Sequence, residues 1–235
     1  MKIYIWSDFQ CPFCYMGEKM LEQVIDSIDL PKPVEIVFKS YQLDPQAPEI
    51  PLESMTQHFM SSHDMTLAEA EKRMEKISDR AASIGLHYHL SGVRVCNTRD
   101  AHRLMKYASE RISPGKMKRL NAAIFKANFE DNLLLSDHEV LAEIGVSVGL
   151  ERKAVLTMLE SDAYLEAVES DQQELESKAD FDFIPYMLSS SGAVMQGILN
   201  KEKLTLWLRN ALAGVDSGYD ADEEREGCGP GGCSV

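Results

Sequence analysis

Ile3-Tyr4-Ile5-Trp6-Ser7-Asp8-Phe9-Gln10-Cys11-Pro12-Phe13-Cys14-Tyr15 reads as a short strand, a turn and a helix opened by Cys-Pro-Phe-Cys. Aromatic and β-branched residues in a short run predict the strand. Pro12 predicts the helix start, because its fixed φ suits the first helical position and its missing N–H would have had no partner there. Cys11 then stands at or beside the N-cap, among unpaired backbone N–H groups at the positive end of the helix dipole. A thiolate is stabilised in such a place, so the expectation is a Cys11 thiol more acidic than a free cysteine. Cys14 follows one turn later on the same face, within reach of a disulfide. This is the geometry of one thiol that attacks and a second that resolves.

Two plainer readings of the pair stand beside the redox one: half of a zinc site, or two buried, inert cysteines. A zinc half-site sits on a knuckle turn and needs two further ligands. A strand leading into a helix, with proline between the cysteines, is the context of redox chemistry. His58, His63, His87, His89 and His138 show no metal-binding spacing, and no metal is expected.

The 235 residues, 44% hydrophobic and 26% charged, suffice for one large domain or two small ones. A net charge of −14 argues against nucleic acid or an anionic membrane surface as partner. No apolar run reaches the length of a membrane span. Lys2 is followed at once by Trp6, Ser7 and Asp8, unlike a signal peptide, so a cytoplasmic protein is expected. In a reducing cytosol cysteines seldom form structural disulfides, which favours a pair that cycles.

Along the chain, Pro12 to about Ile28 predicts the first helix, with Met16, Met20, Leu21, Val24 and Ile28 at helical spacing. Val34–Phe38 alternates and predicts a second strand, completing a βαβ unit with the thiols at the carboxyl end of its first strand. Asp44–Pro51 holds three prolines and reads as a linker. Helices are then expected almost throughout to Lys178: Leu52–Ser62, a helix begun by the capping box of Thr66 and Glu69, Arg99–Ser109, one opened by Pro114, one capped at Ser136–Glu139, Glu151–Leu159 and Ala163–Lys178. Strand signals return at Ile184–Leu188 and Ala193–Gln196, joined by a turn at Ser189–Gly192, and Lys201–Ala213 predicts a last helix. Sheet-forming pieces at both ends imply one α/β domain interrupted by an inserted all-helical domain. The boundaries expected are 1–43 with 181–213 for the first, 44–180 for the insertion and 214–235 for an acidic, glycine-rich tail expected to be flexible.

Asp8, Cys11, Pro12, Phe13, Cys14, Tyr15 and Gly17, followed by Asn97-Thr98, Ala101-His102-Arg103-Leu104, Phe125–Phe129 and Leu141–Leu150, resemble the DsbA family of thioredoxin-fold oxidoreductases, in its FrnE-like cytoplasmic branch. The resemblance runs from residue 1 to about 213. It implies a thioredoxin-like fold with a helical insertion, no cofactor beyond a redox-active disulfide, and glutathione as a candidate electron donor. It also implies that Pro185 is a cis-proline facing the thiols, so that Ile184 would offer its backbone to an extended substrate, with Pro12 and Phe13 beside the reacting sulfur. The chain departs from the family at Phe183-Ile184, where Gly-Val is usual, and at Phe13, where tryptophan is frequent. Neither departure removes a reacting atom.

Cys228 and Cys233 form a second candidate pair, with a glycine-rich loop between them that closes without strain. Incidental tail thiols are the plainer reading. Cys96 is expected to be buried and inert, His102 to be a core or surface histidine, and Asp8 to satisfy turn N–H groups. The 12 methionines are read as core. The function expected is thiol–disulfide exchange with protein or small-molecule substrates and with a separate reductant or oxidant, by a monomer or homodimer. The alternatives are a glutathione-dependent isomerase or transferase of the kappa type, in which Cys14 would be pointless, and a non-catalytic zinc-binding or holdase protein.

Overall fold

The computed structural model describes residues 1–198, 200–215, 226–229 and 232–234, the last three by backbone alone. The chain divides into two compact units, Met1–Leu43 with Asp171–Val235, and Asp44–Ser170. The first is built on β1 (Lys2–Ser7), α1 (Pro12–Ser27), β2 (Glu35–Ser40), β3 (Tyr186–Ser189), β4 (Val194–Gln196) and α9 (Lys201–Ala213). Their order in the sheet is β2-β1-β3-β4. β1 runs parallel to β2 and antiparallel to β3, which turns back into β4. Ile3, Ile5 and Ile36 are buried on one face of this sheet and Trp6 on the other, so both faces are covered toward the carboxyl end of β1. The register Trp6↔Tyr186 sets Pro185 beside the carboxyl end of β1, where the chain turns into the thiol helix.

The second unit carries α2 (Met55–His63), α3 (Leu67–Ser83), α4 (Arg99–Ser109), α5 (Pro114–Phe129), α6 (His138–Ser147), α7 (Arg152–Leu159) and the first turns of α8 (Leu165–Glu176). Both Thr66 with Glu69 and Ser54 with Gln57 form capping boxes. At α6 the cap is Asp137, whose carboxylate accepts the Glu139 N–H; Ser136 instead donates to the Glu49 carbonyl. Leu104, Ile124, Phe125, Phe129 and Leu141 fill the core. Arg103 is buried there because its guanidinium serves the carbonyls of Met158, Leu159, Ser161 and Ala163 at the end of α7, with Asp100 balancing its charge. Asn97 donates to the carbonyls of Pro45 and Ala47 and so pins the proline-rich segment expected to be a linker.

Two boundaries differ from those read in the sequence. The chain rejoins the sheet unit at Asp171, ten residues before the expected 181. The cause is a buried carboxylate. Asp171 accepts from the Ser40 N–H at 2.9 Å and from Lys39 Nζ at 2.8 Å, while its carbonyl accepts the Trp6 indole N–H at 2.8 Å. The expectation of a flexible tail is also corrected for its described part. Gly227–Gly229 (β5) and Gly232–Ser234 (β6) form an antiparallel hairpin. Composition foretold no ordered structure there because it weighs side chains, whereas these strands are held through their backbone. The acidic run Asp220–Arg225 lies outside the described residues.

Replacing Asp171 by alanine strands the buried Ser40 N–H and leaves the Lys39 ammonium with Glu174 as its remaining carboxylate. The expected loss is about 2 kcal/mol, measured by urea denaturation. Asp171→Asn, which keeps an acceptor for Ser40, should lose less.

Candidate active site

Cys11 is the N-cap residue of α1, in extended conformation (φ −93°, ψ 110°), and Pro12 occupies the first helical position. The Cys11 N–H donates to the Asp8 carbonyl at 3.0 Å, and the Cys14 N–H to the Cys11 carbonyl at 3.1 Å, so the turn delivers the first cysteine to the open end of the helix. The Asp8 carboxylate is spent on backbone: it accepts the Gln10 N–H at 3.2 Å and the Leu43 N–H at 2.7 Å. It thereby fixes both the turn before Cys11 and the exit from β2.

Both thiols are free and both are 0% exposed. Burial pushes the Cys14 thiol well above its ordinary value of 9.0. Its hydrogen bond to the Cys11 side chain and its electrostatic interaction with Cys11 push the same way, and Glu18 adds to them. The Asp8 backbone pulls against these and loses. Cys14 therefore holds its proton and donates it toward the Cys11 sulfur.

Pro185 follows a cis peptide bond from Ile184. A Cβ on Gly17 would lie 2.8 Å from Pro185 Cγ and 2.9 Å from Ile198 Cγ2, so only glycine lets α1 seat against this proline. The approach to Pro185 is set by Gln196, which is fully buried. Its Oε1 accepts the N–H groups of Asp182 (2.8 Å) and Phe183 (3.1 Å), and its Nε2 donates to the Asp180 carbonyl. This role is not legible in the sequence: a glutamine in an alternating strand reads as solvent-facing, and its partners lie across a loop.

Ile184 pairs with the tail. Its N–H donates to the Cys228 carbonyl at 2.8 Å and its carbonyl accepts the Cys228 N–H at 3.1 Å. The Ile198 N–H donates to the Glu226 carbonyl at 2.7 Å, and β5 packs against α1. Cys228 is disulfide-bonded and buried, and the β5–β6 register sets it opposite Cys233. The structure thus brings Cys11, Cys14, Ile184, Pro185 and Cys228 into one unit. Pro12 and Phe13 belong to it too, but both are buried. Cys96 and His102 are buried in the helical unit. Among the described residues no three His, Cys, Asp or Glu are grouped so as to hold a metal ion.

Residues 2–179 match the DSBA-like thioredoxin domain. The chain belongs to that family. Its thioredoxin-like α/β core with a large helical insertion is the family architecture, and the protein is an enzyme of the thiol–disulfide oxidoreductase class acting on thiol or disulfide substrates through a Cys-x-x-Cys pair. The crystal structure of a probable DsbA oxidoreductase from Streptomyces coelicolor is similar over 100% of this chain and 99% of its own, with 28% identity and a TM-score of 0.83. A 2-hydroxychromene-2-carboxylate isomerase shares the fold (15% identity, 91% and 95% of the two chains, TM-score 0.65). So does the cytosolic disulfide reductase DsbM from Pseudomonas aeruginosa, solved with GSH (14% identity, 91% and 100%, TM-score 0.59).

The raised Cys14 value fixes a sign for stability against pH. The folded, reduced chain keeps a proton that the unfolded chain loses above pH 9, so this contribution is full below pH 9 and drains away as pH climbs past it. Reduced wild-type protein should lose about 1.4 kcal/mol more per pH unit above 9 than Cys14→Ser in urea titrations. Tyr41 and Tyr186, each pushed up to about 12 by burial, add the same slope above 10 to both proteins and cancel in the comparison.

Proposed function

We propose that this protein is a FrnE-like, cytoplasmic thiol–disulfide oxidoreductase in which Cys11 is the exchanging sulfur and Cys14 the resolving one. The observation that carries the reading is the asymmetry of the pair. Cys14 holds its proton and is hydrogen-bonded to Cys11, while Cys11 is the N-cap residue, at the positive end of the helix dipole. In the reducing direction the Cys11 thiolate attacks a substrate disulfide. The substrate S–S bond breaks, a Cys11 mixed disulfide forms, and the departing substrate thiolate takes a proton. Cys14, once deprotonated, attacks Cys11 Sγ, closes the Cys11–Cys14 disulfide and frees the second substrate thiol. Two electrons have moved to the substrate, and two molecules of a thiol reductant return them as its disulfide. Glutathione is the candidate, and the likeness to a disulfide reductase solved with GSH supports it. In the oxidising direction the same steps run backward.

In this reading an extended substrate segment pairs with Ile184 beside Pro185, and Pro12 and Phe13 flank the attacked sulfur. Cys228 and Cys233 act as a second redox pair: the Cys11 thiolate attacks the disulfide at Cys228, and resolution by Cys14 leaves the tail pair reduced and Cys11–Cys14 oxidised. A cytoplasmic site fits a dithiol kept reduced by the cell, and the similarly folded DsbM reductase is cytosolic.

Equilibration against glutathione buffers, with each cysteine mapped by differential alkylation and mass spectrometry, tests the assignment. Cys11 and Cys14 should interchange as a pair with one midpoint, and Cys11→Ser should abolish disulfide turnover. A Cys11 that stays unmodified at every poise, or reacts only after a chelator, overturns it. Isomerase turnover retained by Cys14→Ser would favour the kappa-type alternative. For the second pair, Cys228→Ser with Cys233→Ser should slow recycling of Cys11–Cys14, and unchanged turnover and recycling would exclude the relay.

A further inference from the structure

The contacts of the tail describe a peptide-binding register with an occupant already in it. Gln196 draws the N–H groups of Asp182 and Phe183 inward, which leaves the N–H and carbonyl of Ile184 turned to the segment beside them. That segment is Glu226–Gly229, antiparallel to the chain entering Pro185 and hydrogen-bonded at Ile184 and again at Ile198. Main-chain pairing of this kind supplies affinity without regard to side chains, and the space around alternate residues supplies selectivity.

Here the space is small. A Cβ at Gly227 would stand 2.9 Å from the Ile184 carbonyl oxygen and 3.0 Å from Phe183 Cβ. At Gly229 it would stand 2.1 Å from the Asp182 carbonyl oxygen. The obstructing atoms are backbone or close to it, so they do not swing aside. The residue between the two glycines is Cys228, set opposite Ile184.

We infer that the Asp182–Ile184 edge takes extended peptides with a cysteine flanked on both sides by glycine-sized residues, and that the chain's own Glu226–Gly229 segment is a resident competitor that such a substrate must displace. This inference rests on the oxidoreductase reading for its consequence and on backbone geometry for its substance. Docking of the tail taxes the affinity of every outside peptide by the fraction of molecules in which the edge is vacant. A small disulfide that makes no strand pairing is spared that tax.

The test uses the full chain and Gly229→Val, whose side chain forces the tail off the edge without touching a cysteine. Hydrogen exchange at the Ile184 and Ile198 amides reads the docking: both are protected in the wild type and lose protection in the variant. Fluorescent peptides Glu-Gly-Ser-Gly and Glu-Val-Ser-Val, with serine for cysteine, read the register by anisotropy. The variant should bind the glycine-flanked peptide at least about tenfold more tightly than the wild type does, and more tightly than it binds the valine-flanked one. Reduction of a glycine-flanked peptide disulfide should accelerate in the variant, while a small aromatic disulfide changes by less than about twofold. Protection retained in Gly229→Val, equal binding of the two peptides, or no binding of either overturns the inference, even where the protein reduces disulfides. Selective binding upholds it even where turnover fails, so the two readings fall separately.

Discussion

One buried carboxylate lets the thiol-bearing sheet exist as a unit. β1 and β2 lie in the first stretch of chain, β3 and β4 in the last, and the helical unit separates them. Asp171 ends that separation by binding β2 through Ser40 and Lys39 and β1 through Trp6. The energies are ordinary, a charge-assisted bond or two and a backbone bond, but all are made out of water, where a missing partner is expensive. Once the returning chain is tied there, β3 enters against β1 in the Trp6↔Tyr186 register, and Pro185 arrives at the end of β1 where α1 begins. Gly17 then permits the last approach.

The site combines two opposite treatments of neighbouring sulfurs. Cys11 stands at the cap, with helix N–H groups before it, and Cys14 one turn deeper, where desolvation holds its proton on. Both sulfurs are equally buried, so the division of labour in this pair is written into their places on the helix, one at the cap and one inside the first turn. Asp8, the acidic group nearest in sequence, is committed to the backbone of Gln10 and Leu43 and so shapes the turn.

Local signals were legible in the sequence, and distant ones were not. α1, α4 and α9 begin at Pro12, Arg99 and Lys201 as read, because a proline, a cap and a 3.6-residue period act within a few residues of each other. The same holds for Thr66 with Glu69. The return at Asp171 was missed because its partners are more than 130 residues away and an aspartate in a polar helix looks like any other. β3 was expected from Ile184 but begins at Tyr186, since Ile184 gives its hydrogen bonds to the tail. The tail strand was invisible to a reading based on apolar content, although its glycines were in plain view. Their spacing about Cys228 was the only available sign of close backbone packing.

The position of the insertion also orders events in time. Synthesis at roughly 5–20 residues per second delivers Cys11 and Cys14 on the order of ten seconds before Pro185. The reacting sulfurs are made while Asp171, which ties β1 and β2 to the returning chain, and Pro185, at the substrate edge, are still unmade. Their sheet cannot close until the segment from Asp171 onward arrives, so the nascent chain carries the two thiols for that interval as an unassembled dithiol.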